Sequence, residues 1–356
     1  MKPAALVGLI LASALSPVSS QATPVCNEVP DPARWQDAGT PDAGLEQTKV
    51  MVHRGAALLA PENTIESLEY AVAYGVDYVE IDVQQTIDGR YVVFHDQTVD
   101  AKTDGSGYIA AMTYDQATAL NTADNPTWKG SEYDPSYLIS LESALQRAQE
   151  LGAGFSFDLK ESVSNAAGVA LLVKQYPDVF ARSIFQPYVQ GRTEQIIAAT
   201  PDATIMLNPL VDIFPTPSYY GFARTQYTWF GSDLDVYPAE RIAAIHDGCS
   251  FVLPNVYSNN PVTERRDIDV AIARGADGVM VNQPDVAMAT LERPVATRIV
   301  TGDGIACLVG HADQGLPGKL LDVDGSTVAT RRGGCVAYAG GPVSFAGDAS
   351  ALASSL

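Results

Sequence analysis

Short β-rich runs alternate with helix-patterned stretches from residue 48 to about residue 295. Residues 49–53 predict a first strand. A helix is predicted over about 64–74, with Asn63 or Thr64 as its cap, Glu66 in its first turn, and Ile65, Leu68 and Val72 on one face. Gly75 ends it. Further strands are predicted over 78–83, 91–94, 154–159, 183–186, 203–207, 250–256 and 278–281, with 228–231 as a candidate extra. Helices over 141–151 and 268–274 are each followed by a glycine. Such alternation is the signature of an α/β fold, either a TIM (β/α)8 barrel or a doubly wound sheet. No Gly-x-Gly-x-x-Gly follows the first strand, which removes the main support for a dinucleotide-binding sheet. Polar, chemically capable residues sit near the C-terminal ends of several strands instead. The barrel is the expected fold.

The two ends of the chain have a different texture. Lys2, an apolar run over 4–15 and the small residues around Ser20-Gln21-Ala22 read as an export signal over 1–22. That run is shorter than the ~20 apolar residues a membrane span needs. Residues 23–47 then form an N-terminal extension and 48–297 the barrel. Residues 298–356, broken by glycine turns around runs at 319–323 and 335–338, read as a small all-β C-terminal module. The four cysteines, Cys26, Cys249, Cys307 and Cys335, suit an exported protein and allow three pairings. Pairing Cys307 with Cys335 and Cys26 with Cys249 keeps one bridge inside the C-terminal module; four free thiols is the alternative.

Composition narrows the partners. Forty-two acidic against 22 basic side chains leave a net charge of −20. Such a field repels nucleic acid and anionic membranes, so a phosphate-bearing substrate must meet local positive charge, which a bound metal would supply. A small-molecule substrate is expected, with no nucleic acid, no stable membrane insertion and no protein partner.

The chemistry concentrates in His53-Arg54-Gly55, Pro61-Glu62-Asn63-Thr64, Glu80-Ile81-Asp82-Val83, His95-Asp96 and Asp158-Leu159-Lys160. Glu80 and Asp82 lie two apart on a strand, so both carboxylates leave one face. Facing inward they would repel unless a cation or proton sits between them, and oxygen ligands suit Mg²⁺, Ca²⁺ or Mn²⁺; a strand emerging into solvent is the plainer reading. Asp158 and Lys160 also share a face, as part of a metal site or as a buried ion pair. His53 and His95 each end a strand, where a histidine exchanges protons or simply satisfies the backbone. Asp88-Gly89 signals a hairpin; a two-residue loop there would set Asp82 opposite His95, about 5 Å away.

This ordered set resembles the glycerophosphodiester phosphodiesterase family over about residues 48–295. Thr86-Ile87-Asp88-Gly89, Asp104-Gly105-Ser106-Gly107, Asp277-Gly278 and Pro284 extend the likeness. The resemblance implies a barrel in which Glu80, Asp82 and Asp158 bind one divalent metal ion, Mg²⁺ or Ca²⁺. It makes His53 and His95 the general acid and base, with Arg54 and Lys160 on the phosphate and Asn63 near the site. Products would be glycerol 3-phosphate and an alcohol. Asp158 departs from a common glutamate, Lys102 from an arginine, Asn255-Val256-Tyr257 from a tryptophan-threonine pattern, and Asn282-Gln283 from threonine-aspartate; these changes bear on substrate choice. Two alternatives stand beside it. One is a phospholipase D- or C-like enzyme that acts on lysophospholipids or sphingolipids and releases a cyclic phosphate, with an apolar route lined by Trp229, Phe230, Tyr219, Tyr220 and Phe222. The other is a non-catalytic exported binding protein.

Overall fold

A computed structural model describes residues 48–208, 228–247 and 250–293, together with strand backbone between 298 and 347. The segments assigned above to a signal and an extension, and Cys26, Cys249, Tyr219, Tyr220 and Phe222, lie outside the described residues.

Eight parallel strands build the barrel: β1 (Lys49–Val52), β2 (Tyr78–Gln85), β4 (Phe155–Leu159), β5 (Ile184–Gln186), β6 (Thr204–Leu207), β7 (Thr228–Phe230), β8 (Phe251–Val252) and β9 (Gly278–Val281). They are ordered β8-β7-β6-β5-β4-β2-β1-β9, and the ring closes between its ends through an Asn255–Met280 bridge. The candidate extra strand is therefore a member of the barrel. The run at 91–94 is not. It forms β3 (Tyr91–Val93), which turns back antiparallel onto β2. The physical reason is loop length: a parallel return needs a crossover of about a dozen residues or more, and the turn after β2 is far too short. The segment that follows β3 packs a satellite core of Val92, Phe94, Val99, Ile109, Ala117 and Leu138.

The turn also corrects the predicted register. Thr86 N–H donates to the Arg90 carbonyl at 2.9 Å, so three residues, not two, form the loop, with Gly89 in the left-handed region at φ 81°. The ladder pairs Val83 with Val93, and Phe94 N–H donates to the Asp82 carbonyl at 2.9 Å. Asp82 thus lies opposite Phe94, and the expected pairing with His95 does not form.

Side-chain alternation along the strands divides the interior from the outer shell. Val79, Ile81 and Val83 of β2 and Phe155, Phe157 and Leu159 of β4 point outward into one core with Leu68, Ala71, Leu141 and Leu145 of the helices. The opposite face of β2 carries Tyr78, Glu80, Asp82 and Gln84 inward. Tyr78 joins Met51, Ile184, Met206, Trp229, Leu253 and Met280 in a separate cluster that fills the N-terminal half of the barrel. The polar residues of the same faces are left to the C-terminal mouth.

The helices follow their local signals. Ile65–Ala73 starts at Thr64, whose hydroxyl accepts from Ser67 N–H in a reciprocal capping box. Leu141–Leu151 ends at Gly152 with φ 68°, as a left-handed cap requires. The helix predicted over 268–274 begins earlier, at Pro261, because Asn260 caps it and a proline is favourable in the first turn. Beyond the barrel, the backbone forms two three-stranded antiparallel sheets between Arg298 and Gly347, in agreement with the expected β module. Their register sets Cys307 opposite Cys335. Among the described residues, no helix is long and apolar enough to cross a membrane.

Candidate active site

The parallel register of β2 and β4 sets Asp82 beside Asp158 and Glu80 beside Ser156. All three carboxyl side chains are buried, and one ligand oxygen from each lies within 4.8 Å of the others. Burial of like charges at this range is costly, and each group shows how the cost is met. Glu80 is pushed well above the usual carboxylate range by burial and then by Asp82 and Asp158. Asp158 is raised to about 6 by burial and then by Asp82, against Lys160 and Tyr188. Asp82 falls to about 2: burial would raise it, but Lys160, His95 and Arg54 outweigh that.

The cations are arranged around these acids. Lys160 Nζ lies 2.8 Å from Asp82 Oδ1 and 2.9 Å from Asp158 Oδ2. Arg54 Nε stands 3.5 Å from Asp82 Oδ2, and its Nη1 reaches Glu62 at 3.2 Å. Three acidic side chains share two cations, and burial favours the protonated form of Glu80 where no further cation offsets its charge. Asp158 Oδ1 is buried without a hydrogen-bond partner. An acidic oxygen cluster with an orphaned oxygen fits a hard divalent cation, so these residues could hold a metal ion.

Backbone strain shapes the same wall. Arg54 and Asn63 both adopt positive φ, 54° and 61°, without being glycine. The sharp turn at Arg54 aims its N–H at Glu80 Oε2, 2.7 Å away. Asn63 clasps Asp82 twice: its Nδ2 donates to Oδ2 at 2.7 Å and its Oδ1 accepts from the Asp82 N–H at 3.1 Å. Gly55 must be glycine, since a Cβ there would meet Ser67 Oγ at 2.5 Å.

The two histidines have unlike surroundings. His53, at the end of β1, is held by its N–H to the Val281 carbonyl at 2.9 Å and by Nδ1 to Asn282 Oδ1 at 3.0 Å. Its ring stacks on Tyr257, with centroids 4.3 Å apart and planes 10° from parallel. Burial and then Arg54 lower its pKa to about 4, against Asp82, Asn282 and Glu62. His95 is one-third exposed, and its Nδ1 faces Asp96 Oδ1 at 2.6 Å. Gln84, on the inward face of β2, donates to the carbonyls of Phe94 and His95, at 3.2 and 3.4 Å, and to that of Asp96. Lys102 bridges Glu62 at 2.6 Å and Asp96 at 3.3 Å, which links the Arg54 side of the site to the His95 side.

The predicted metal-, phosphate- and proton-handling residues lie at one barrel mouth: His53, Arg54, Asn63, Glu80, Asp82, Asp158 and Lys160 directly, and His95 through Asp96 and the Lys102 bridge to Glu62. Sequence reasoning missed Tyr188, whose hydroxyl donates to Asp158 Oδ2 at 2.8 Å from a residue at φ 58°. Its place just after β5 was the only signal available. Tyr257 and Asn282, marked as departures that bear on substrate choice, in fact touch His53. Trp229 and Phe230 line no access route: both are buried, one in the barrel floor and one in the outer shell.

Residues 53–207 match the glycerophosphoryl diester phosphodiesterase family. A Bacillus subtilis relative is 33% identical over 162 residues, which are 44% of this chain and 65% of that protein. Glycerophosphodiester phosphodiesterase 1 of Mus musculus is 31% identical over 140 residues, 39% of this chain and 42% of that protein. The chain thus spans less than two thirds of the length of these relatives. Among solved structures, an Oleispira antarctica phosphodiesterase in complex with sn-glycerol 3-phosphate superposes with a TM-score of 0.58. It is 22% identical, and the match covers 69% of this chain and 97% of that one. A glycerophosphodiester phosphodiesterase from Agrobacterium tumefaciens gives a TM-score of 0.56 at 24% identity, over 68% and 99% of the two chains. At these identities the structural likeness establishes the barrel fold.

Proposed function

Residues 53–207 carry a domain of the glycerophosphoryl diester phosphodiesterase family, and on that premise we propose that this chain is a metal-dependent hydrolase of glycerophosphodiesters. The observation that carries the reading is the trio of buried carboxylates, Glu80, Asp82 and Asp158, framed by two histidines and two cations. The trio would hold one divalent ion, Mg²⁺ or Ca²⁺, which when bound offsets charge on the phosphoryl oxygens. Arg54 and one remaining N–H of Lys160 bind the phosphate. Water or the neighbouring glycerol hydroxyl attacks phosphorus, one histidine accepts its proton, and the other protonates the leaving alkoxide as the P–O bond breaks. Asn63, Tyr188 and the Arg54 N–H orient the carboxylates. Attack by water gives glycerol 3-phosphate and the headgroup alcohol directly; attack by the glycerol hydroxyl first gives a cyclic glycerol phosphate and the alcohol, and water then opens that ring to glycerol 3-phosphate.

The test is release of choline or ethanolamine from glycerophosphodiesters, with EDTA and with added Mg²⁺ or Ca²⁺, for wild type and His53→Ala. Metal-dependent turnover lost in the variant is expected. A folded protein inert with every metal and headgroup would overturn the reading.

A lysolipid substrate gains support from one observation. Tyr188, Val189 and Tyr257, beyond the ends of β5 and β8, are exposed, as is Leu58 after β1. Turnover of long-chain lysolipids above that of soluble diesters would favour it. Export remains a separate proposal, supported by the apolar run over 4–15 and the even cysteine count. The mass of protein recovered from culture medium, reduced and unreduced, tests it.

A further inference from the structure

We propose that Asn282 is a positioning residue: braced by Asn259 and anchored through buried Glu264, it holds His53 as the Nδ1–H tautomer and leaves Nε2 as the reactive nitrogen. This rests on the reading above only in taking His53 as the residue that handles a proton.

Asn282 Nδ2 donates to Asn259 Oδ1 at 2.8 Å, which turns the amide so that its oxygen faces His53 Nδ1 at 3.0 Å. An amide oxygen only accepts, so the facing ring nitrogen must carry the proton. A ring flip would aim a C–H at that oxygen and leave it unpaired, while the stacked Tyr257 ring fixes the plane of the imidazole and the backbone N–H bond to Val281 fixes the main chain that carries it.

Glu264 ties this arrangement to the barrel. It belongs to the helix Pro261–Ala273 and is fully buried, and its carboxylate accepts from three backbone N–H groups: Ser258 at 3.1 Å, Asn282 at 2.6 Å and Gln283 at 3.1 Å. Gln283 Nε2 returns a bond to the Ser258 carbonyl at 2.9 Å. The loop that bears Tyr257 and Asn259 is thereby stapled to the end of β9, across the seam where β8 is only two residues long. Both partners of His53 come from the two sides of this staple. A buried carboxylate that ties together three backbone donors at this seam is well suited to hold an acceptor in place.

The experiment is long-range ¹H–¹⁵N NMR on histidine-labelled protein. The chain has four histidines, and His53→Ala assigns the relevant signal. In wild type, His53 should show a protonated, pyrrole-type Nδ1 and a pyridine-type Nε2. Asn282→Ala should lose that dominance, with kcat down about 10- to 100-fold and KM nearly unchanged. Asn282→Asp, which keeps an acceptor, should keep the tautomer and recover most of kcat. Glu264→Gln should shift both readouts in the same direction as Asn282→Ala, by less. A wild-type His53 protonated on Nε2, or an unchanged tautomer in folded Asn282→Ala, overturns the proposal. The NMR arm reads the resting protein, so it decides the tautomer whether or not glycerophosphodiesters are turned over.

Discussion

The two halves of the barrel interior are built from the same strands to opposite ends. At the N-terminal half, Met51, Tyr78, Ile184, Met206, Trp229, Leu253 and Met280 form a dry plug that gains stability from burial. Two residues further along β2, the same inward face carries Glu80 and then Asp82, buried beside Asp158 at a cost in stability. One period-two pattern therefore serves both floor and mouth, and identity alone decides which positions stabilise and which act. The plug makes the mouth affordable: a rigid floor allows charges to be held where water cannot relax them.

Substitutions at the two ends should separate activity from stability. The largest effect is expected at the mouth: Asp82→Asn should reduce kcat/KM on the order of 10³-fold or more, about 4 kcal/mol of transition-state stabilisation. Glu80→Gln, which resembles the protonated acid that burial favours, should abolish metal-dependent turnover yet leave the melting temperature of metal-free protein unchanged or raised. Calorimetry with and without EDTA checks this; a marked destabilisation would mean that Glu80 is charged and paired without metal. In the floor, Trp229→Ala should cost about 3–5 kcal/mol in urea unfolding while the folded fraction keeps near-normal kcat. A selective loss of kcat there would break the division between the halves.

The next contrast is pH dependence. Asp158 has a folded pKa of about 6, above its unfolded value, so the folded state binds the extra proton between about 4 and 6. Metal-free protein should lose stability as pH rises through that window, with Glu80 acting in the same sense. Asp82, lowered to about 2, acts oppositely, and its contribution fades as pH falls toward 2. Added Mg²⁺ or Ca²⁺ should therefore raise the melting temperature more at pH 7 than at pH 4. The smallest effect is expected from Tyr188→Phe, which removes one donor to Asp158 and should weaken metal affinity about tenfold by titration calorimetry.

Much of the site was legible because its signals are local. Alternation along 78–83 sends Glu80 and Asp82 to one side, and the same holds for Asp158 and Lys160. Thr64, Gly75 and Gly152 mark helix ends through backbone rules that need no tertiary context. The family resemblance then joined the pieces. What local reasoning misjudged was register and membership: β3 looked as much like a barrel strand as β7 does, and Asp88-Gly89 did not disclose whether two or three residues would turn.

The sequence by itself determined the alternation of strands and helices, the inward carboxylates and the two strand-end histidines, because side-chain period and capping are properties of neighbouring residues. Only the tertiary structure decided which strands close the ring, that Asp82 meets Asp158, that Tyr188 reaches Asp158, and that Tyr257 and Asn282 hold His53. Those contacts join residues up to 229 positions apart, and they depend on the closure of the barrel, which no local pattern encodes.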